Sequence, residues 1–318
     1  MKNLSKIILI AFIALLATSC NDDDNNNTPT PEDNTITGVA SKNANLSILV
    51  QALGKAGLAT TLQGAGPYTV FAPTNDAFNA FLTANGFSSL DAVPVATLKQ
   101  ILLNHVVSGK NVSTSLSTGY VNTLATYGTT TNNLSMFINT TSGVRLNGVS
   151  SVTIPDVSAS NGVVHVVDAV IGLPTIVTHA MANPNFTTLV AALTYNPSSG
   201  FAGILSGTDS SPFTVFAPTN DAFGAFLTET GYSGLSAIPA NVLEKTLKYH
   251  VVAGANVQSS QLTNDQVVPT FSGQNVIVKF TPTRLLDVSE RNCNIVATDV
   301  QCSNGIIHVL DKVLLPTF

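Results

Sequence analysis

One stretch of this chain is written twice. Tyr68 to Phe78 runs Tyr-Thr-Val-Phe-Ala-Pro-Thr-Asn-Asp-Ala-Phe, and Phe213 to Phe223 repeats it with a single change, Phe for Tyr at its first position. A chain that repeats such a segment within matching surroundings folds as copies of one unit. Each copy reads as a strand running into a helix. Thr-Val-Phe is β-branched and aromatic and suits a packed strand. The proline stops the ladder because it has no N–H to donate. Thr74-Asn75-Asp76, and again Thr219-Asn220-Asp221, offer side-chain oxygens to the orphan N–H groups of a first helical turn. Phe78, Phe81 and Leu82 then follow at helical spacing.

The repeat extends over both halves. Thr35-Ile36 through Leu53 recurs as Thr175-Ile176 through Leu193, and Asn161-Gly162-Val163-Val164-His165-Val166-Val167-Asp168 recurs as Asn304-Gly305-Ile306-Ile307-His308-Val309-Leu310-Asp311. The spacing predicts extra residues in the second copy around Tyr195-Asn196-Pro197. Each unit is of ordinary domain size, so tandem domains are expected, spanning 36–174 and 175–318. Leu173-Pro174-Thr175 joins them with no flexible linker, which predicts a fixed angle. Within a unit, Asn45 is placed to cap a helix carrying Leu46, Leu49, Val50 and Leu53 on one face. Pro94 and Pro239 open a further helix. Short Thr- and Val-rich runs after Gly109 read as strands, and Asn161-Gly162 and Asn304-Gly305 as tight hairpin turns.

The N-terminus is expected to lie outside the fold. Lys2 and Lys6 precede an apolar run from Ile7 to Ala17, too short to cross a bilayer and suited to a signal-peptide core. Residues 1–19 are assigned to it. Ala17-Thr18-Ser19-Cys20 resembles a bacterial lipobox, which would lipidate Cys20 and anchor the chain through acyl groups; an ordinary signal cleaved nearby is the alternative. Residues 20–35 form an acidic tether of Asp, Asn, Thr and Pro, expected to be disordered. Asp22-Asp23-Asp24 resembles the acidic export signal of surface lipoproteins in the Bacteroidetes, or is a solvated charge run. These features together place the protein in a bacterial cell envelope, as an outer-membrane lipoprotein facing outward. Without the leader, 11 basic residues face 18 acidic ones; five of those acids sit in the tether, so the folded part carries a net charge of −2. With no basic stripe, nucleic acid is not an expected partner.

The order of these landmarks identifies the pattern. Thr-Val-Phe-Ala-Pro-Thr-Asn-Asp-Ala-Phe, then a helix ending at Asn104-His105-Val106-Val107 or Tyr249-His250-Val251-Val252, then Asn-Gly-(Val/Ile)-(Val/Ile)-His-Val-(Val/Leu)-Asp and a closing Leu-Pro, resembles the fasciclin domain across both repeats. The resemblance implies an α+β fold: two tandem fasciclin-like domains, each a wedge-shaped β-sandwich with helices packed at one edge. It implies a non-enzymatic adhesion or extracellular binding role, with an extracellular protein or glycan as partner and no cofactor. It also implies an adhesion motif at a Tyr-His pair, which only the second unit keeps, as Tyr249-His250.

Histidines, carboxylates and cysteines are the candidates for chemistry. His105 and His250 fall on the apolar faces of their helices, and His165 and His308 sit within apolar strands. No His-x-x-x-His or Cys-x-x-Cys spacing occurs, so these read as hydrogen-bonded core histidines in preference to metal ligands. Asp76 and Asp221 read as helix caps in preference to general bases. Asp168 and Asp311 close the apolar strand and are placed to partner a histidine or a backbone group. Cys293 and Cys302 are expected to form a disulfide, with two free thiols as the alternative; a bridge requires the chain to turn near Thr298-Asp299. A glycan-capture accessory of a polysaccharide-uptake system is the second functional reading. With no Trp in the chain, it would need exposed rings such as Tyr120 or Tyr127. A hydrolase is the third, and would need His, Ser and a carboxylate converging in an open cleft.

Overall fold

The computed structural model describes residues 32–196 and 200–318. The signal segment, Cys20, nearly all of the tether, and Pro197 of the extra loop lie outside the described residues. Asp33–Phe318 forms one compact unit.

In the first repeat the elements are α1 (Ile36–Ser41), α2 (Ser47–Lys55), α3 (Ala59–Gln63), β1 (Tyr68–Pro73), α4 (Asn75–Ala84), α5 (Val95–Leu103), β2 (Val106–Ser108), β3 (Gly119–Thr126), β4 (Asn133–Asn139), β5 (Arg145–Leu146), β6 (Ser150–Ala159) and β7 (Gly162–Val167). The second follows the same order: α6 (Ile176–Ala182), α7 (Thr187–Tyr195), α8 (Phe201–Ser206), β8 (Phe213–Pro218), α9 (Asn220–Thr230), α10 (Ala240–Tyr249), β9 (Val251–Ala253), β10 (Val267–Pro269), β11 (Asn275–Lys279), β12 (Arg284–Leu286), β13 (Asn292–Cys302) and β14 (Gly305–Leu310).

The repeated stretch forms a strand paired on both edges in each sheet. β1 pairs parallel to β7 from Tyr68↔Gly162 to Pro73↔Val167 and antiparallel to β2. β8 makes the same parallel pairing with β14 and the same antiparallel pairing with β9. A strand with neighbours on both edges and cover on both faces has no polar side to offer. This is why Val163 to Val167 and Ile306 to Leu310 are apolar apart from one histidine each. Alternation along β1 sorts its side chains between two cores. Val70 and Ala72 join Leu49, Leu53, Phe78, Leu98 and Ile101 beneath the helices. Phe71 turns the other way, onto Val107, Met136, Ile138 and Leu146 inside the sheet. Phe216 repeats that turn in the second half.

The sheet differs from the expected sandwich. In the first repeat the seven strands close into a barrel, β1-β2-β3-β4-β5-β6-β7. β6 shifts register between Val152 and Val157, and β3 between Asn122 and Thr126. Such bulges bend a strand, so each of these pairs with neighbours on two sides of a curved surface. Val107↔Thr123 completes the closure. The second repeat runs β10-β11-β12-β13-β14-β8-β9 and leaves β9 and β10 as its ends. β10 is three residues long and ends in Pro269; across that gap Phe271 N–H donates to the Val251 carbonyl at 2.6 Å.

Asn45 lies inside a short 3-10 turn. The cap is Asn43, whose side chain accepts from Asn45 N–H, and α2 starts only at Ser47.

Candidate functional site

The duplicated Thr-Asn-Asp triplet divides three tasks. Thr74 Oγ1 accepts from Ala77 N–H at 3.2 Å and Thr219 Oγ1 from Ala222 N–H at 3.2 Å, so threonine is the N-cap. Asn75 reaches back to the preceding helix. Its Oδ1 accepts from Ile48 N–H at 2.9 Å and its Nδ2 donates to the Ala44 carbonyl at 2.9 Å. Asn220 does the same with Thr188 N–H and the Pro184 carbonyl. Asp76 and Asp221 occupy the first turn, where a carboxylate meets the positive end of the helix dipole.

All four histidines of the repeated motifs are buried and doubly engaged. His105 Nδ1 donates to the Ile101 carbonyl at 2.7 Å, and its Nε2 accepts from Ile171 N–H at 2.9 Å. His250 does so with the Thr246 carbonyl and Leu314 N–H. Each thereby ties the end of a helix to the strand exit that crosses it. Burial pushes both pKa values down to about 4. His165 stacks on Phe71 at 5.5 Å; its Nε2 donates to the Asn111 carbonyl at 2.9 Å and its Nδ1 accepts from Asp156 N–H at 3.2 Å. His308 repeats this with Phe216, Val257 and Asp299.

A serine and a carboxylate do converge on His165 and on His308. Ser113 N–H and Oγ both donate to the Asp156 carboxylate, and Ser259 donates likewise to Asp299. The order of contacts is wrong for nucleophilic catalysis, which needs the serine on an imidazole nitrogen and the carboxylate behind it. Here the hydroxyl is bound to the carboxylate and both ring nitrogens are occupied by backbone groups. Asp168 and Asp311 partner no histidine: Asp168 accepts from Ser151 N–H at 2.7 Å and Asp311 from Asn294 N–H at 2.7 Å, each pinning its hairpin. Among the described residues no cluster of three His, Cys, Asp or Glu could hold a metal.

Two expected sites are corrected. Cys293 and Cys302 are both free and buried. They lie near opposite ends of one continuous strand, β13, so the chain does not double back at Thr298-Asp299. Asp299 takes a positive φ of 61° within a bulge, and the strand bends and continues. Fully straight, nine residues of strand would span roughly 30 Å of backbone; the bend shortens that span without reversing the chain. Cys293 belongs to the core inside the sheet and Cys302 to the core beneath the helices. The Tyr249-His250 pair is not a surface feature. Tyr249 is fully buried, its hydroxyl donating to the Asn275 carbonyl at 2.7 Å and accepting from Val288 N–H at 3.1 Å, and His250 is 3% exposed. No partner reaches either ring in this conformation.

The hairpin asparagines do more than turn. Asn161 Oδ1 accepts from Ile36 N–H at 2.9 Å, and its Nδ2 donates to the Leu62 and Gly64 carbonyls. Asn304 binds Ile176, Leu205 and Gly207 in the same way. The following glycine is required by close approach, since a Cβ on Gly162 would stand 2.0 Å from the Tyr68 carbonyl oxygen.

What pattern reading missed is the seam between the repeats. Tyr120 of β3 packs edge-on against His179 of α6, with ring centroids 5.3 Å apart, and tilts against Phe137 at 4.9 Å. Asn183 Nδ2 donates to its hydroxyl at 3.3 Å. Gln301 N–H donates to Ser135 Oγ at 3.0 Å, joining β13 to β4. Tyr120 thus contributes to the core of the second repeat and is no exposed platform for a sugar. His179 is fully buried; neither ring nitrogen has a partner of good hydrogen-bond geometry, the Ser135 backbone being the polar group beside them, and burial pushes its pKa down to about 3. The one sequence signal for this seam was negative: Tyr120 and His179 have no counterparts in the repeat.

The fasciclin-domain profile matches residues 44–174 and 184–316, and the chain belongs to that family. Protein sll1483 of Synechocystis is 40% identical over 142 residues, which cover 45% of this chain and 73% of that protein. Immunogenic protein MPB70 of Mycobacterium bovis is 33% identical over 145 residues, 43% of this chain and 66% of its own length. Human periostin is 26% identical over 272 residues, 80% of this chain and 29% of periostin. Among solved structures, a FAS1 domain pair from the insect cell adhesion molecule Fasciclin I superposes with a TM-score of 0.55 at 21% identity, covering 86% of this chain and 98% of that one. At that identity the likeness is one of fold.

Proposed function

We propose that this protein is a lipid-anchored adhesion module of the bacterial outer membrane, held through Cys20 and binding extracellular protein or glycan without catalysis. The observation that carries the reading is the joined pair of fasciclin repeats, the arrangement also solved in an insect cell adhesion molecule. Support comes from what the polar groups repeated in both halves do. The histidines, aspartates and asparagines of the motifs are engaged with backbone, which suits a rigid presenting scaffold and supplies no activated nucleophile. Binding then falls to surface positions where the repeats differ. The lipobox and acidic tether support export and anchoring. The glycan-accessory reading loses Tyr120 as a platform and gains no observation in its place.

The test compares cells displaying the full chain with cells carrying Cys20→Ala. Protease shaving of intact cells should remove the native protein, and those cells should be retained on immobilised extracellular matrix protein or glycan. Retention equal to that of cells lacking the protein, on every surface tried, would overturn the adhesive role; protection from protease would overturn the outward placement.

A further inference from the structure

In the first repeat a cavity of about 240 Å³ opens beside the segment after β2, walled by Val107, Leu116 and Val121 and rimmed by Ser108 and Asn111, with Phe71 and Ile138 behind them. No charged side chain lines it. Phe71 and Ile138 lie behind that lining, fully buried and held by the strands around them, so the wall they back is fixed.

The second repeat places a different side chain at the same position. Asn111 and Val257 are structural equivalents. Asn111 N–H donates to Thr69 Oγ1 at 2.8 Å and Val257 N–H to Thr214 Oγ1 at 2.9 Å. The Asn111 carbonyl accepts from His165 Nε2 and the Val257 carbonyl from His308 Nε2, both at 2.9 Å. In the second repeat the valine packs onto the interior core with Leu262 and Val252. In the first, the asparagine keeps a polar amide at the cavity. Its Nδ2 donates to Thr69 Oγ1 at 3.1 Å and to the Ser108 carbonyl at 3.3 Å, while no donor among the described residues reaches Oδ1. The amide oxygen is therefore directed by its own hydrogen bonds and open to a ligand hydroxyl.

We propose that this cavity is a binding site for a small uncharged amphipath, a ring or short chain bearing a hydroxyl. Its apolar body lies against Val107, Leu116 and Val121, and its hydroxyl donates to Asn111 Oδ1. Size follows from volume: a dry cavity of about 150 Å³ takes benzene, so this one takes roughly ten heavy atoms. Charge follows from the lining, because an ion buried there would lose its hydration with no counter-ion to replace it. The site does not rest on the adhesive reading.

The test is titration of the full chain with 4-fluorobenzyl alcohol, followed by fluorine NMR, beside 4-fluorobenzoate and 4-fluorobenzylamine. Saturable binding of the alcohol is expected, at least tenfold tighter than of either ion. Ser108→Trp, which places an indole at the mouth from an exposed position, should abolish it. Asn111→Val, which copies the second repeat, should weaken it severalfold, with melting temperature as the check on folding for both. Absence of saturable binding overturns the proposal. So does equal affinity for the ions, or binding that survives both substitutions in folded protein.

Discussion

Tyr120 and His179 meet ring edge to ring face across the junction of the two repeats, 5.3 Å between centroids, and neither residue has a counterpart elsewhere in the chain. The repeats are similar units, yet the surface that joins them had to be asymmetric. One unit contributes β3 and β4, and the other contributes α6 and β13. Residues at that seam therefore diverged while those inside each unit stayed alike.

Truncating Tyr120 should uncouple the halves. Tyr120→Ala removes two ring contacts and the Asn183 hydrogen bond, and leaves a cavity beside His179. A loss of about 3–5 kcal/mol is expected for a buried aromatic. Calorimetry should resolve two transitions where the parent shows one. A single transition at the parent temperature refutes the seam.

Stability should fall in mild acid. His105, His179 and His250 titrate at about 4, 3 and 4 in the folded chain because burial disfavours their charged forms. Unfolded, each titrates near ~6.5. Between those limits the unfolded state holds protons that the folded state does not. Stability is thus complete above about pH 6.5 and declines as pH drops toward 4, with a slope approaching roughly 4 kcal/mol per pH unit for three groups. Urea midpoints measured from about pH 7 to 5 should decrease; a flat profile excludes buried neutral histidines.

Tyr249→Phe separates structure from adhesion. The phenylalanine keeps the packing and loses the bonds to Asn275 and Val288. The partly buried Asn275 carbonyl and Val288 N–H then lose that partner, at about 1 kcal/mol. Denaturant unfolding should register this while cell retention stays unchanged. Loss of retention in fully folded protein would show that the pair is read by a partner.

The cysteines should behave as two protected thiols. Burial, the largest cause, pushes the Cys293 pKa up to about 12 and raises that of Cys302 strongly. Alkylation without reductant should be slow in native protein and reach both cysteines on unfolding. Unchanged mass after unfolding without reductant would mean a disulfide.

His105→Leu and His250→Leu should be costly for a related reason. Each leaves an inward-facing N–H, of Ile171 or Leu314, and a helix-end carbonyl without partners. About 2–4 kcal/mol is expected from two unmet buried groups. His→Gln should recover part of it if a side-chain amide reaches the same N–H, as urea titration of both variants will show.

Much of the unit was legible in the sequence because it is written in local terms. The strand–proline–helix element depends on a β-branched run, a residue without an N–H, and a threonine hydroxyl within reach of the third helical residue. The burial of β7 and β14 was likewise legible, since a strand apolar on both faces has only one place to go. The asparagines were read as turns, although Asn161 also ties α1 and α3 to the hairpin through contacts as distant as residue 36. Spacing carries no trace of such a bond. Cys293 and Cys302 misled for the same reason: proximity in sequence is not proximity in space when a bulge bends a strand without reversing it.

The sequence by itself determined that the chain is two copies of one unit, where the helix after each Ala-Pro begins, and which strand is innermost. Periodicity, caps and breakers act over a few residues, and a duplicated pattern declares itself. Only the tertiary structure decided that the first sheet closes into a barrel, that Tyr249 faces inward, and that Tyr120 and His179 hold the repeats together. Closure, facing and contact depend on how strands curve and on which surfaces exclude water from one another. Those are properties of the folded whole, set by residues far apart in the chain.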